Sequence, residues 1–579
     1  MLTPYSHYLQ SNQAPSEDET REIRALRSNP LEEISIIDVE IKQIEGILNS
    51  VRRKRARIQK SIDDFNTILA PVRRLSVDVL SVIFSHCLAT RRNPIMSPSE
   101  APILLTQICR DWRSIALSIP RLWSKLYIRT TLYPETLPYV SKLDGERRME
   151  ARTEEVQKWL RLSAACPLAI SLMPVPAGEP VSHPPLLDAI IESSQRWQQL
   201  ELGFFSQSDV LTRLLSLTPD DLCMLRELRI HSLYSTDDLH LQEAQENLWY
   251  QSGLLAAQGL RSISIAEMHR TDALGAGIPP NWKNLNHLFI HSSILLGLAH
   301  PILSYCSNLV ACLLGIAVQR DDIETITNAS ITLSPCILPH LTFLSLEGDL
   351  PGCSQLFSSI EAPSLQILEY LGYFPSESEE FGLLNFLQNI NSLETLRVDH
   401  RLTESNMLKY FTLIPSVKHL VLGRSPKRTY RYYPTPYAYP ENVAFITTLH
   451  AFRHQYSCDS APTILFPSLE IFEVNDVSGT ADIMLLEFIK ARIDATKSNA
   501  GVSKLKKVSV DFSGTRETDI VPEALAYAQA AGIKLELELR YTGKELDATW
   551  SPFEPYFSLP DDIHCMIVDA LMLIENDNY

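Results

Sequence analysis

A short pattern, LxxLxL, recurs eleven times along this 579-residue chain. It appears as Trp197-Leu200-Leu202, Leu225-Leu228-Ile230, Leu260-Ile263-Ile265, Leu285-Leu288-Ile290, Leu309-Cys312-Leu314 and Leu341-Leu344-Leu346. It continues as Leu365-Leu368-Tyr370, Leu393-Leu396-Val398, Val417-Leu420-Leu422, Leu469-Phe472-Val474 and Leu505-Val508-Val510. The steps run from 24 to 36 residues, apart from one of 52 between Val417 and Leu469. Helix-like stretches such as LLNFLQNI and ADIMLLEFIKARI lie between the patterns. Each unit therefore has one strand and one helix, and neither can bury its apolar face alone. Stacked units share a core, with the strands in one parallel sheet inside and the helices outside.

This spacing is the signature of leucine-rich repeats. It predicts an α/β chain whose residues 166–545 form an irregular leucine-rich-repeat solenoid. The asparagine usual eight residues after the first leucine is absent; Asp349, Arg401 and Val477 stand there. In each strand the first, fourth and sixth residues should point into the core, and the fifth and seventh to the inner face of the sheet. That reading gives an inner face of mixed charge with few large apolar groups. It marks Arg229, His231, His291 and Arg397 as candidate target-binding residues. The long interval holds a Tyr/Pro-rich insertion near residues 425–445, RTYRYYPTPYAYPE. Tyrosine and arginine are over-represented at binding hot spots, so Tyr432 and Tyr433 join the candidates. A loop whose rings pack back on the repeats is the competing reading.

Ahead of the repeats, residues 71–123 read as three short helices. Ser76 can cap the first, with Asp78 in its first turn. Val79, Leu80, Ile83, Phe84, Cys87 and Leu88 follow at helical spacing. Leu104, Leu105, Ile108, Cys109 and Trp112 mark the second helix, and Pro120 stops the third. So small a unit should leave an apolar face in need of a partner.

These residues resemble the F-box family in its fungal form. Arg74-Leu75-Ser76-Val77-Asp78-Val79-Leu80 matches the family's opening, with Ser76 where proline is usual. Ile83, Phe84, His86 and Cys87 match its middle, and the later CRDWRSIALSIPRLW its end. The resemblance covers about a tenth of the chain. It implies an F-box at residues 70–125 that docks on a Skp-type adaptor, which joins it to a cullin ubiquitin ligase. Leu75, Val79, Leu80, Ile83, Phe84 and Leu105 would supply the docking face. Cys109, Trp112 and Trp123 would form the core of the small domain and hold it to its neighbour.

Residues 1–30 are polar and are expected to be disordered. Over residues 31–69 apolar positions alternate at steps of three and four, a heptad pattern that predicts one long helix. Ile34, Ile41, Leu48, Ile62 and Leu69 share one column of the seam, interrupted by Arg55. Ile37, Ile44, Val51, Ile58 and Phe65 share the other. The seam could join two copies in a homodimer or fold back on the same chain. The run RRKRAR fits the solvated side of a helix or a nuclear-import signal. Residues 126–165 read as a connecting segment with a strand and a helix. Residues 546–579 read as a capping tail.

The net charge of −17 disfavours nucleic acid and membrane surfaces as partners. The ten cysteines are scattered without a CxxC pair, which suits a reducing compartment, so a cytoplasmic or nuclear location is expected. No nucleotide-binding, serine-hydrolase or zinc-protease motif occurs. We therefore expect no enzyme activity, no catalytic residue, no metal and no cofactor. Two functions fit. One is the substrate-recognition subunit of a cullin-based ubiquitin ligase, which binds a Skp-type adaptor through the F-box and a target protein through the repeats. The other is a repeat scaffold that does not act in ubiquitination.

Overall fold

The computed structural model describes residues 4–90, 92–129, 142–173, 184–203, 213–231, 252–266, 278–317, 333–373, 381–398, 410–423, 465–477, 482–498, 501–512 and 514–541. The Tyr/Pro-rich insertion and the capping tail lie outside these residues. The chain divides into two units, Met1–Val82 and Ile83–Tyr579.

The first unit is dominated by one helix, Glu17–Leu69. It begins well before the expected Leu31, because its start is strongly specified. The Ser16 hydroxyl accepts from Glu19 N, the Glu19 carboxylate accepts from Ser16 N, and Glu17 and Asp18 sit in the first turn. Pro30 is carried inside the helix. Ahead of it, the Tyr8 hydroxyl donates to Glu19 at 3.0 Å. Part of the segment expected to be disordered is thus helical, and none of the helix's residues is buried. A turn at Pro71–Arg74 and the start of a helix at Val77–His86 follow.

The second unit forms the expected solenoid. Among the described residues one parallel sheet has fourteen strands, added in chain order. They are β1 (Lys125–Arg129), β2 (Leu168–Met173), β3 (Trp197–Leu202), β4 (Glu227–Ile230), β5 (Ser262–Ile265), β6 (His287–Leu295) and β7 (Ala311–Ala317). Then come β9 (Phe343–Asp349), β11 (Ile367–Tyr373), β12 (Thr395–Val398), β13 (His419–Leu422), β14 (Ile471–Val477), β15 (Lys507–Phe512) and β16 (Glu536–Tyr541). Two short strands, β8 (Cys336–Ile337) and β10 (Ile360–Glu361), pair separately.

Register is constant where the pattern is constant. Leu228, Ile263, Leu288, Cys312, Leu344, Leu368 and Leu396 lie opposite one another from strand to strand. All are buried, as are the leucines that open each pattern. The helices cover this face. Phe357, from the helix Leu350–Ser359, meets Tyr370 at 5.5 Å and Phe386 at 5.1 Å between ring centroids. Phe488, from the helix Asp482–Ser498, meets Phe472 at 5.3 Å.

The helices outside the sheet pack closely enough to require a glycine. A Cβ at Gly382, near the start of the helix Phe381–Gln388, would collide with the Ser354 carbonyl in the preceding helix. Alanine in place of glycine ordinarily favours a helix by up to about 1 kcal/mol. Here the clash should reverse the sign. Gly382→Ala is expected to lower stability by about 1–3 kcal/mol, read as a lower midpoint in urea unfolding.

Candidate functional site

Two surfaces come from the sequence reading: the helix Val77–His86 and the inner face of the sheet. The helix carries two apolar stripes. Leu80 and Phe84, four residues apart, are buried, with Phe84 fully so. Val79, Val82 and Ile83 form a second stripe and are 45%, 58% and 38% exposed. Leu75, just ahead of the helix, is also exposed. The helix is capped as expected: Val79 N approaches the Ser76 hydroxyl at 3.4 Å, and Asp78 lies in the first turn.

The six expected docking residues therefore separate. Leu75, Val79 and Ile83 are available to a partner. Leu80, Phe84 and Leu105 are buried. Phe84 packs against Trp112 with the rings tilted at 54° and their centroids 4.8 Å apart, and Trp112 is half-buried. Cys109 is exposed, and its sulfur serves as the N-cap of the helix Arg110–Ser118 by accepting from Trp112 N at 3.4 Å.

Trp123 is buried at a joint. Its indole N–H donates to Ala116 O at 2.9 Å, and its ring meets Trp159 edge-on at 4.8 Å. The Ala169 N–H donates to Ser124 O and the Tyr127 N–H to Pro94 O, each at 2.9 Å. Asn93 donates to the Ser171 hydroxyl at 2.9 Å, and Ile95 bridges Tyr127 in parallel. Residues 93–95 thus pair along β1, which would otherwise offer an open sheet edge.

On the inner face the constant register sets the fifth residues of the repeats in one row. On β3 and β4 that row is charged. Glu201 lies 2.7 Å from His231 Nε2 and accepts from the Ser171 hydroxyl, while Arg229 pairs with Glu227. Further along, Arg397 Nη1 lies 2.8 Å from Glu369, whose side chain is only 6% exposed. Glu473 has His419 at 3.6 Å, and that imidazole, with Lys507 and Arg397, holds its carboxyl below the usual range despite burial.

Between the two charged stretches the face is apolar. Phe289, Ala311, Leu313 and Phe343 cluster there, all buried, with Ile367 packed against them. This corrects the expectation of few large apolar groups. Ala311, Phe343 and Ile367 stand at the third place of their patterns, a place that also faces inward. Glu201 and Glu369 were legible as fifth residues but become evident only once the ladder shows them opposite Arg229 and Arg397. His291 falls on β6 where the register with β7 shifts, between Ile290 and Ser293. Tyr432 and Tyr433 are outside the described residues. Among the described residues no group of three histidine, cysteine or acidic side chains could hold a metal. None of the described helices is long and apolar enough to cross a membrane.

Glu201 makes the inner face sensitive to acid. Burial opposes its charge, but His231, Ser171 and Arg229 outweigh that and lower its pKa from 4.5 to about 2. A carboxyl depressed on folding stabilises above its unfolded pKa and loses that effect as pH falls through the folded value. Unfolding of the wild type and of Glu201→Gln should therefore converge between about pH 4.5 and about pH 2, by about 3 kcal/mol.

No family model matches the sequence, and neither does any curated protein. Among solved structures, one match is a chain of the crystal structure of the Rad7 and Elc1 complex in yeast, which is 16% identical with a TM-score of 0.32. The match covers 60% of this chain and 85% of that one.

Proposed function

We propose that this chain is the substrate-recognition subunit of a cullin-based ubiquitin ligase. The observation that carries the reading is the exposed stripe Val79, Val82 and Ile83, on a helix whose other stripe is already buried. A short helix has no reason of its own to keep two apolar stripes. The second one suits a protein partner, and two of its residues, Val79 and Ile83, are among those that resemble the adaptor-docking part of an F-box. Leu75 extends it.

The repeats would hold the target. The inner face offers an apolar centre between two charged stretches, which suits a polypeptide with a few apolar anchors. Arg229, His231, His291 and Arg397 would contact it there, with Tyr432 and Tyr433 alongside. The chain then performs no chemistry. It raises the effective concentration of a target lysine near a ubiquitin-charged enzyme supplied by other subunits. The exposed seam at residues 34–69 would let two such receptors associate.

The test is co-purification of the full chain with a Skp-type adaptor and a cullin. Val79→Asp with Ile83→Asp should weaken adaptor binding by at least about 100-fold, because the charges would be buried without partners. The unfolding midpoint should hardly move, since both positions are exposed. Phe84→Ala should instead cost about 3–5 kcal/mol of stability, measured by urea unfolding. Normal adaptor binding by the double aspartate variant would place the docking surface elsewhere. Tyr432→Ala with Tyr433→Ala should release the target and keep the adaptor.

A further inference from the structure

The ten apolar residues of the helical seam are all exposed, from 45% at Leu48 to 64% at Phe65 and Leu69. The helix that carries them has 53 residues and buries none of them. A seam of about five heptads is long enough to hold a two-stranded coiled coil. Charge along the same helix decides how two copies would meet. Glu33, Asp38, Glu40 and Glu45 flank the seam in its first half, and Arg52, Lys54 and Arg55 lie in or beside it in the second.

A parallel pair in register sets like against like. Arg55 would face Arg55 of the second copy inside the seam. The flanking contacts would join Glu33 to Asp38 and Glu40 to Glu45, all acidic. An antiparallel pair centred between Leu48 and Val51 removes each conflict. Arg55 then falls opposite Ile44 of the second copy with Glu45 beside it, and Glu45 meets Arg52 across the flank. Gly46 lies on the side away from the seam in either arrangement, so it does not choose between them.

We propose that two copies of this chain pair through residues 34–65 as an antiparallel coiled coil. The proposal rests on self-association through this seam and adds its orientation. At about 1.5 Å per residue the paired length is on the order of 50 Å, so the chains leaving at Leu69 depart from opposite ends. A parallel pair would release them side by side.

The experiment uses the full chain, mixed from isotopically heavy and light preparations and treated with an amine cross-linker. Antiparallel pairing brings Lys42 within about 5 Å, along the axis, of Lys60 in the second copy. Heavy–light links between Lys42 and Lys60 are expected. Heavy–light links joining Lys60 to Lys60 would overturn the orientation and leave self-association standing. A monomeric mass by light scattering would overturn both. Glu45→Lys gives an independent reading. It should weaken the antiparallel pair roughly tenfold, by facing Arg52 and Arg55, and adding Arg52→Glu should restore it. In a parallel pair Glu45→Lys would face Glu40 and tighten association, which would also overturn the proposal.

Discussion

Everything in the second unit hangs on one ladder of backbone hydrogen bonds in fixed register. At the start of each strand the N–H groups donate to a carbonyl of the repeat before. Val310 and Ala311 donate to Asn286 O, Thr342 and Phe343 to Val310 O, and Gln366 and Ile367 to Thr342 O. Lys418 to Glu394, Glu470 to Lys418 and Lys506 to Glu470 continue the series at 2.7–2.8 Å. Because these rungs repeat, the third to sixth residues of each pattern keep their rows from β3 to β15, while the register shifts just beyond them on β6 and β14. A slip of one residue would turn the buried leucines of that strand to the other face.

The rows explain why the inner face has the chemistry it has. Opposite charges at neighbouring fifth positions sit about one strand spacing apart, as Glu369 and Arg397 do, and so pair without any loop to guide them. Where the fifth residues are Phe289 and Leu313 the same spacing builds an apolar cluster. The face is thus written by one residue type per repeat. It can vary along the solenoid while the leucine face stays constant. The inner face and the core, made from the same strands, have separate positions to change.

The solenoid was legible because its periodicity is long and its apolar places are regular. Its inner face was less so. Arg229 and Arg397 could be found from their places, but Glu201 pairs with His231 across two strands separated by thirty residues of sequence, and pairing is a property of the stack. The six expected docking residues were ambiguous for a different reason. Leu80 and Val79 are equally apolar and adjacent, and only the packing of Phe84 against Trp112 shows which stripe faces inward. Where Asp349 replaces the turn asparagine the register holds between β9 and β11, whereas on β14 it shifts between Val474 and Val477, the latter standing in the asparagine's place. Local donors do related work: Asn281 gives both amide hydrogens to Leu255 O and Ala257 O, and the Ser392 and Ser416 hydroxyls donate to Leu365 O and Leu393 O.

Under the proposed function, in which the chain would work by proximity, the joint between the short helices and the repeats matters as much as either surface. A flexible linker would spread the target over a large volume and dilute it. Within the second unit the joint is stiff for an identifiable reason. The short helices end at Trp123, whose ring and N–H are both engaged. One residue on, Ser124 O accepts from β2, while Pro94 O and the bridge at Ile95 bind β1 from its other side. The segment between the helices is therefore the first rung of the ladder. The same register that orders the repeats extends into the element that precedes them, and no hinge separates the helix ending at Ser118 from the sheet.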